Sequence, residues 1–198
     1  RNAYQSYIDG TPLCRSLDYV DCYDENNSKY PFEYLFGDFL VAYPHHQMML
    51  GKNQNEIKQS NYLTKVKALF YKGTELQGEP VLEKEYEKLS FELNGNPLEE
   101  GLPVNEFSAR FEFSLRLEKD GYLMALSDDG IRIYVDDRLS GEDWSSHAPA
   151  PCLTGMLKRG NHKIRIEYFQ GSGGAKLALY FIKPFKIKEN EIYFPKGE

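Results

Sequence analysis

Ser127-Asp128-Asp129-Gly130-Ile131-Arg132-Ile133-Tyr134-Val135-Asp136-Asp137 is the stretch whose reading decides the fold. Ile131, Ile133 and Val135 share one face of an extended chain, and Arg132, Tyr134 and Asp136 the other. That is the period of a half-buried strand. Ahead of it, two adjacent carboxylates sit in a tight connection beside a glycine, which tolerates positive φ. Neighbouring carboxylates repel, so both stay ionised only with help. A bound hard cation is one source, and Ca²⁺ takes oxygen ligands of this kind. Backbone N–H groups or solvent are others. Asp-Gly is also common in polar hairpin turns. On these residues alone a cation site and a plain turn both stand.

The same period runs outward on both sides. Phe107, Ala109, Phe111, Phe113, Leu115 and Leu117 alternate with Ser108, Arg110, Glu112, Ser114, Arg116 and Glu118, one face for a core and one for water. Val66, Ala68 and Phe70 oppose Lys67, Leu69 and Tyr71. Glu83–Leu93 reads as one outer strand. Tyr122–Ser127, Cys152–Leu157, His162–Phe169 and Ala175–Ile182 read as further strands, with turn signals about every ten residues. This pattern predicts an all-β antiparallel sandwich. Its core is expected to hold Phe107, Phe111, Phe113, Ile131, Ile133, Val135, Ile164 and Ile166.

The chain has 198 residues, 14% aromatic content and a net charge of −6. Aromatic and β-branched content favours strands. No basic stripe follows a phosphate backbone, so nucleic acid is an unexpected partner. No apolar run approaches the length of a membrane-spanning helix. The chain opens with neither Met nor a signal peptide, and reads as cut from something longer. Three cysteines, Cys14, Cys22 and Cys152, form no close pairing pattern. That argues against a disulfide framework or a zinc site. Free, partly buried thiols are expected, with a Cys14–Cys22 bridge as the alternative.

Lys67-Ala-Leu-Phe-Tyr-Lys-Gly73, Phe107-Ser-Ala-Arg-Phe111, Gly121-Tyr122, the Ser127–Asp136 stretch, Trp144 and Gly160-Asn-His-Lys-Ile-Arg-Ile-Glu-Tyr-Phe169 follow in this order. Together they resemble the protective-antigen (PA fourteen) domain, a β-sandwich of toxins, adhesins and glycosidases, over about residues 63–183. In adhesins of that family an Asp-Asp pair joined by a cis peptide holds Ca²⁺, which contacts sugar hydroxyls. The resemblance places that role on Asp128 and Asp129. The adhesins also use an asparagine on a second loop. The Gln170–Gly174 turn is the nearest counterpart, and it contains no Asn.

Gly10-Thr-Pro-Leu-Cys-Arg15, Tyr34-Leu-Phe-Gly-Asp-Phe-Leu-Val-Ala42 and Asn190-Glu-Ile-Tyr-Phe-Pro-Lys-Gly197 resemble family-thirty-one glycoside hydrolases. There, similar segments lie where the catalytic barrel meets a C-terminal β-domain. The resemblance implies four parts. Residues 1–44 would be the barrel end and the start of that β-domain, 45–62 a linker, 63–183 the inserted sandwich, and 184–198 the return strand. Residues 34–43 and 191–195 are then expected to be extended and to approach each other. Residues 2–9 read as the end of a helix, and 18–29 as a loop.

No nucleophile–base pair or two-carboxylate constellation appears on matched strands. The chain is expected to lack catalytic carboxylates of its own, these lying upstream in the parent glycosidase, an alpha-glucosidase or alpha-xylosidase type. The resemblance implies a non-catalytic, carbohydrate-associated insert in a secreted or periplasmic enzyme. Its ligand-binding residues would be Asp128, Asp129, Trp144, Gln170, Gly171 and Gly173, with Ca²⁺ on Asp128 and Asp129. Trp144 is read either as a lid packed on the sandwich or as a sugar-stacking platform. His147 and His162 read as surface or packing residues. The competing reading is a structural insert that shapes a substrate entrance or a subunit contact without binding sugar.

Overall fold

The computed structural model describes residues 21–23, 29–31 and 54–182. In chain order the strands are β1 (Asp21–Tyr23), β2 (Lys29–Pro31), β3 (Gln54–Glu56), β4 (Val66–Lys72), β5 (Leu82–Tyr86), β6 (Ser90–Leu93), β7 (Phe107–Leu117), β8 (Tyr122–Asp128), β9 (Ile131–Val135), β10 (Arg138–Asp143), β11 (Ala150–Leu153), β12 (Gly160–Gln170) and β13 (Ala175–Ile182). One six-stranded sheet has the order β10-β9-β12-β7-β4-β5. The opposing five-stranded sheet has the order β11-β8-β13-β3, with β6 also paired to β13. Every pairing is antiparallel. β1 pairs β2 separately. The antiparallel sandwich expected from the alternation is the fold.

β7 and β12 are the longest strands, and they pair along their whole length from Phe107↔Gln170 to Leu117↔Gly160. Their inward residues make the core, because alternation sends every second side chain between the sheets. All eight expected core residues are buried, with Phe107, Phe111, Ile131, Ile133 and Ile166 at 0% exposure. Phe111 meets Phe70 edge-on at 5.9 Å, and Phe91 meets Tyr168 edge-on at 5.5 Å. On the outer face, the guanidinium groups of Arg110 and Arg132 lie 3.3 and 3.5 Å from the two Glu167 carboxylate oxygens.

The sheets are linked in a way that matters for the site. β8 belongs to one sheet and β9 to the other, so the chain crosses between sheets within Asp129-Gly130. β10 to β11, β12 to β13 and β6 to β7 are also crossings. These four lie at one end, while β3 to β4, β5 to β6, β7 to β8 and β11 to β12 change sheet away from it. Phe169 N–H bonds Gly130 O at 3.0 Å, and Glu106 N–H bonds Gly171 O at 3.2 Å.

Several expectations change. Glu83–Leu93 is not one strand, because the chain leaves the six-stranded sheet after Tyr86 and joins the other at Ser90. The span read as a linker contributes β3, which pairs Gln54–Glu56 with the end of β13. The span 18–29 read as a loop contains β1 and the first residue of β2. Cys152 is disulfide-bonded and 1% exposed, not a free thiol. The Cys14–Cys22 alternative lies outside the described side chains. The expectations for residues 2–9, 34–43 and 191–195 lie outside the described residues.

At the other end, the β9–β10 hairpin turns through Asp136 and Asp137, both at positive φ (50° and 64°), as two-residue hairpins require. The turn is more than solvated. Asp136 accepts from Lys163 N–H at 2.9 Å and pairs with His162 Nδ1 at 2.8 Å, while His162 Nε2 bonds Lys158 O at 2.7 Å. Partial burial pulls the Asp136 carboxyl upward, but the His162 and Lys163 hydrogen bonds outweigh it and hold it below the usual range. A depressed carboxyl contributes stability above its unfolded value, near 3.9, and that contribution fades as pH falls through the lower folded value. Asp136→Asn should therefore flatten the loss of Tm below about pH 4. The effect should stay under about 1 kcal/mol, because the Asp136 side chain is 55% exposed. Melting curves across that range check it.

Candidate functional site

The crossing at Asp128-Asp129-Gly130 is held from several directions. Asp129 is 4% exposed, and both its carboxylate oxygens are engaged. Oδ1 accepts from His147 N–H at 2.9 Å and Oδ2 from Gly171 N–H at 2.8 Å. The Asp128–Asp129 peptide is cis. The Asp128 carbonyl accepts from the Tyr168 hydroxyl. That hydroxyl also lies 2.9 Å from Gln170 Oε1. With one proton, the phenol donates to Asp128 and accepts from the Gln170 amide once its NH₂ is turned inward. Burial, then the charges of Asp129 and Asp128, push the Tyr168 hydroxyl far above the usual tyrosine range, so it stays protonated as a donor.

Asp128 is different. Its carboxylate makes no hydrogen bond or ion pair among the described residues. Burial first, and the Asp129 charge second, push its carboxyl above the usual value, with the nearby His147 pulling back. Asp129 is thus a committed anchor, and Asp128 a partly desolvated carboxylate with no partner.

Glycines give the pair room. A Cβ on Gly171 would lie 3.3 Å from Asp129 Oδ2 and 3.2 Å from Ser146 Oγ. A Cβ on Gly174 would lie 3.6 Å from Asp128 Oδ2 and 3.8 Å from Leu93 O. Gly130 has no room at all, since a Cβ there would sit 2.0 Å from Phe169 Cε1. Gly173 is exposed with φ +86° and shapes the turn.

The structure brings Asp128, Asp129, Gly171 and Gly173 to one place, but not as sequence reading had every residue. Gln170 is 0% exposed, so its side chain is withdrawn from any surface ligand and lies under the loop beside Tyr168. The Trp144 ring is covered by the Arg132 guanidinium, 4.0 Å from its centroid, and meets Phe169 at 4.9 Å. This is the geometry of a packed lid; a stacked sugar would have to displace Arg132. The His147 side chain is 4% exposed, its Nε2 3.5 Å from Asp143 Oδ2, which is a packing role. What it gives the site is its backbone N–H, which no side-chain pattern reveals. Tyr168 was also missed. The available signal was an inward-facing tyrosine at the end of β12, whose buried hydroxyl needs a partner.

The PA14 domain model matches residues 65–193. The chain belongs to the PA14 domain family. Among solved structures, an anti-sigma factor domain-containing protein is similar at 16% identity and TM-score 0.54, over 64% of this chain and 44% of that one. An anti-sigma factor domain-containing protein from Clostridium clariflavum gives 18% and 0.52, over 59% and 41%. The chain thus spans less than half of either. A PA14 sugar-binding domain from an RTX adhesin gives 14% and 0.43, over 58% and 87%. Comparison with curated proteins finds no match. These likenesses concern the fold.

Within this PA14 domain, Tyr168→Phe removes one hydroxyl and keeps the ring packed on Phe91 and Phe107. Leaving the Asp128 carbonyl unpaired should cost about 1–2 kcal/mol. A denaturant midpoint lowered at unchanged slope checks this.

Proposed function

We propose that this PA14 domain is a non-catalytic glycan-binding module, with its ligand seated over Asp128-Asp129 and bordered by the Gly171–Gly174 turn. One observation carries the reading: the partly desolvated, unpartnered Asp128 carboxylate stands beside the anchored Asp129, with Gly171 and Gly174 packed close against the pair.

Ca²⁺ fits this donor set. Asp128 offers free oxygens, and each Asp129 oxygen accepts one N–H while keeping a lone pair. Among the described residues no group of three or more His, Cys, Asp and Glu side chains is placed to hold a metal. A calcium ion would therefore draw its remaining oxygens from backbone carbonyls and the ligand. When bound, it would neutralise the repelling pair and offer open positions to vicinal sugar hydroxyls. The chain's own part is to orient the two carboxylates, through Tyr168, Gly171 N–H and His147 N–H.

We place the module in a glycoside hydrolase acting on alpha-linked sugars, on the resemblance of residues 10–15, 34–42 and 190–197 to that family. Secretion or a periplasmic location belongs to the same proposal, and the Cys152 disulfide supports it, because such bonds persist in oxidising compartments. No helix among the described residues is long and apolar enough to cross a membrane.

The test is calorimetry of the full chain with Ca²⁺, and with mixed glycans in the presence and absence of chelator. Chelator-sensitive glycan binding is expected. Absence of all binding by a folded chain would favour the structural reading.

A further inference from the structure

Strand pairing puts three charges in one row. Glu92 of β6 faces Lys176 of β13, and Lys176 faces Asp128 of β8. Directly paired residues in antiparallel strands point to the same face, with Cβ atoms about 4.5–5.5 Å apart. Burial agrees: Ala175, Leu177 and Leu179 of β13 turn into the core, and Lys176 turns outward. The flexible lysine stem reaches either neighbour. It is drawn to Glu92, with Nζ 3.3 Å from Oε2, and Asp128 is left without an ion pair.

Resting on the reading that Asp128 holds a cation, we propose that Glu92 is a positioning residue that keeps Lys176 off Asp128 and so holds the site open to a divalent metal ion. Lys176 is the cation that the sheet register delivers next to the acidic pair, and is therefore its built-in competitor. An ammonium on Asp128 would satisfy the same unpartnered oxygens and repel an incoming divalent charge. Glu92 has little else to do. Its side chain is 62% exposed, and an ion pair this exposed contributes little to stability.

Three variants of the full chain separate this from a general loss of negative charge: Glu92→Gln, Lys176→Gln and the double substitution. By calorimetry at low salt, Glu92→Gln should bind Ca²⁺ roughly five- to tenfold more weakly, from one unit charge moved against the site. Lys176→Gln should bind at least as tightly as the unsubstituted chain. The double substitution should recover that affinity, which is the coupling signature of a double-mutant cycle. A second readout needs no bound metal. Nuclear Overhauser contacts from the Lys176 ε-protons should move from the Glu92 γ-protons to the Asp128 β-protons in Glu92→Gln. Should Lys176 stay away from Asp128, or the double substitution bind as weakly as Glu92→Gln, the proposal is overturned. Lys176 moving as described while no variant binds Ca²⁺ would instead keep the lysine's placement and overturn the cation reading beneath it.

Discussion

Gly130→Ala should destabilise the fold by about 3 kcal/mol, at the upper end of overpacking costs. The added Cβ would stand 2.0 Å from Phe169 Cε1, a distance no contact tolerates. Phe169 cannot step aside easily. It is 7% exposed, meets Trp144, and gives its N–H to the Gly130 carbonyl. Either the ring or the crossing must move, and the crossing carries both aspartates. For a chain of this size the loss corresponds to a fall in Tm of roughly 6–12 °C. Thermal melting against the unsubstituted protein measures it, and a fall of under about 2 °C would show that the crossing yields freely.

Asp128→Asn with Asp129→Asn should reduce Ca²⁺ and glycan binding at least about 100-fold, roughly 3 kcal/mol, the scale of losing charged ligands. The single substitutions should divide the effect. Asp128→Asn removes the free carboxylate while relieving a desolvated charge, since its folded pKa is raised. A raised carboxyl costs stability once pH exceeds the unfolded value, so this variant should melt slightly higher at pH 7 while binding is lost. Asp129→Asn removes an acceptor from the His147 and Gly171 N–H groups and should melt lower. Opposite shifts in Tm with a shared loss of binding would distinguish a site from a structural turn. Glycan binding unchanged by the double substitution and by chelator would overturn the site.

The core was legible because alternation is a direct image of geometry. Phe107 to Leu117 could face one way only, and the structure agrees. The Asp-Asp-Gly stretch was equally visible. Less was legible where the chain changes layers. Nothing in Glu83–Leu93 marks a change of sheet, because Glu87-Lys88-Leu89 keeps the polar and apolar pattern of a strand. β3 is three residues long, too short to show a period, and exists through its pairing with β13. The Cys152 disulfide was not legible either, because no close Cys spacing announces it. In the site, Gly171 and His147 act through backbone N–H groups. Gln170 was misplaced for a related reason: the strand continued one residue further, and its inward alternation buried that side chain.

The gathering of crossings at one end has a consequence for how a ligand would arrive. There the Tyr168 hydroxyl of β12 holds the Asp128 carbonyl of β8, and the Asp129 carboxylate holds the Gly171 and His147 N–H groups, so the mouth of the sandwich is braced before anything enters it. Such a mouth has little loop freedom to surrender on association, and the entropy lost in capture falls mainly on the ligand. Arrival should then follow simple second-order kinetics, with no slower isomerisation after encounter. The selectivity of the module would be that of a rigid die rather than of a closing hand.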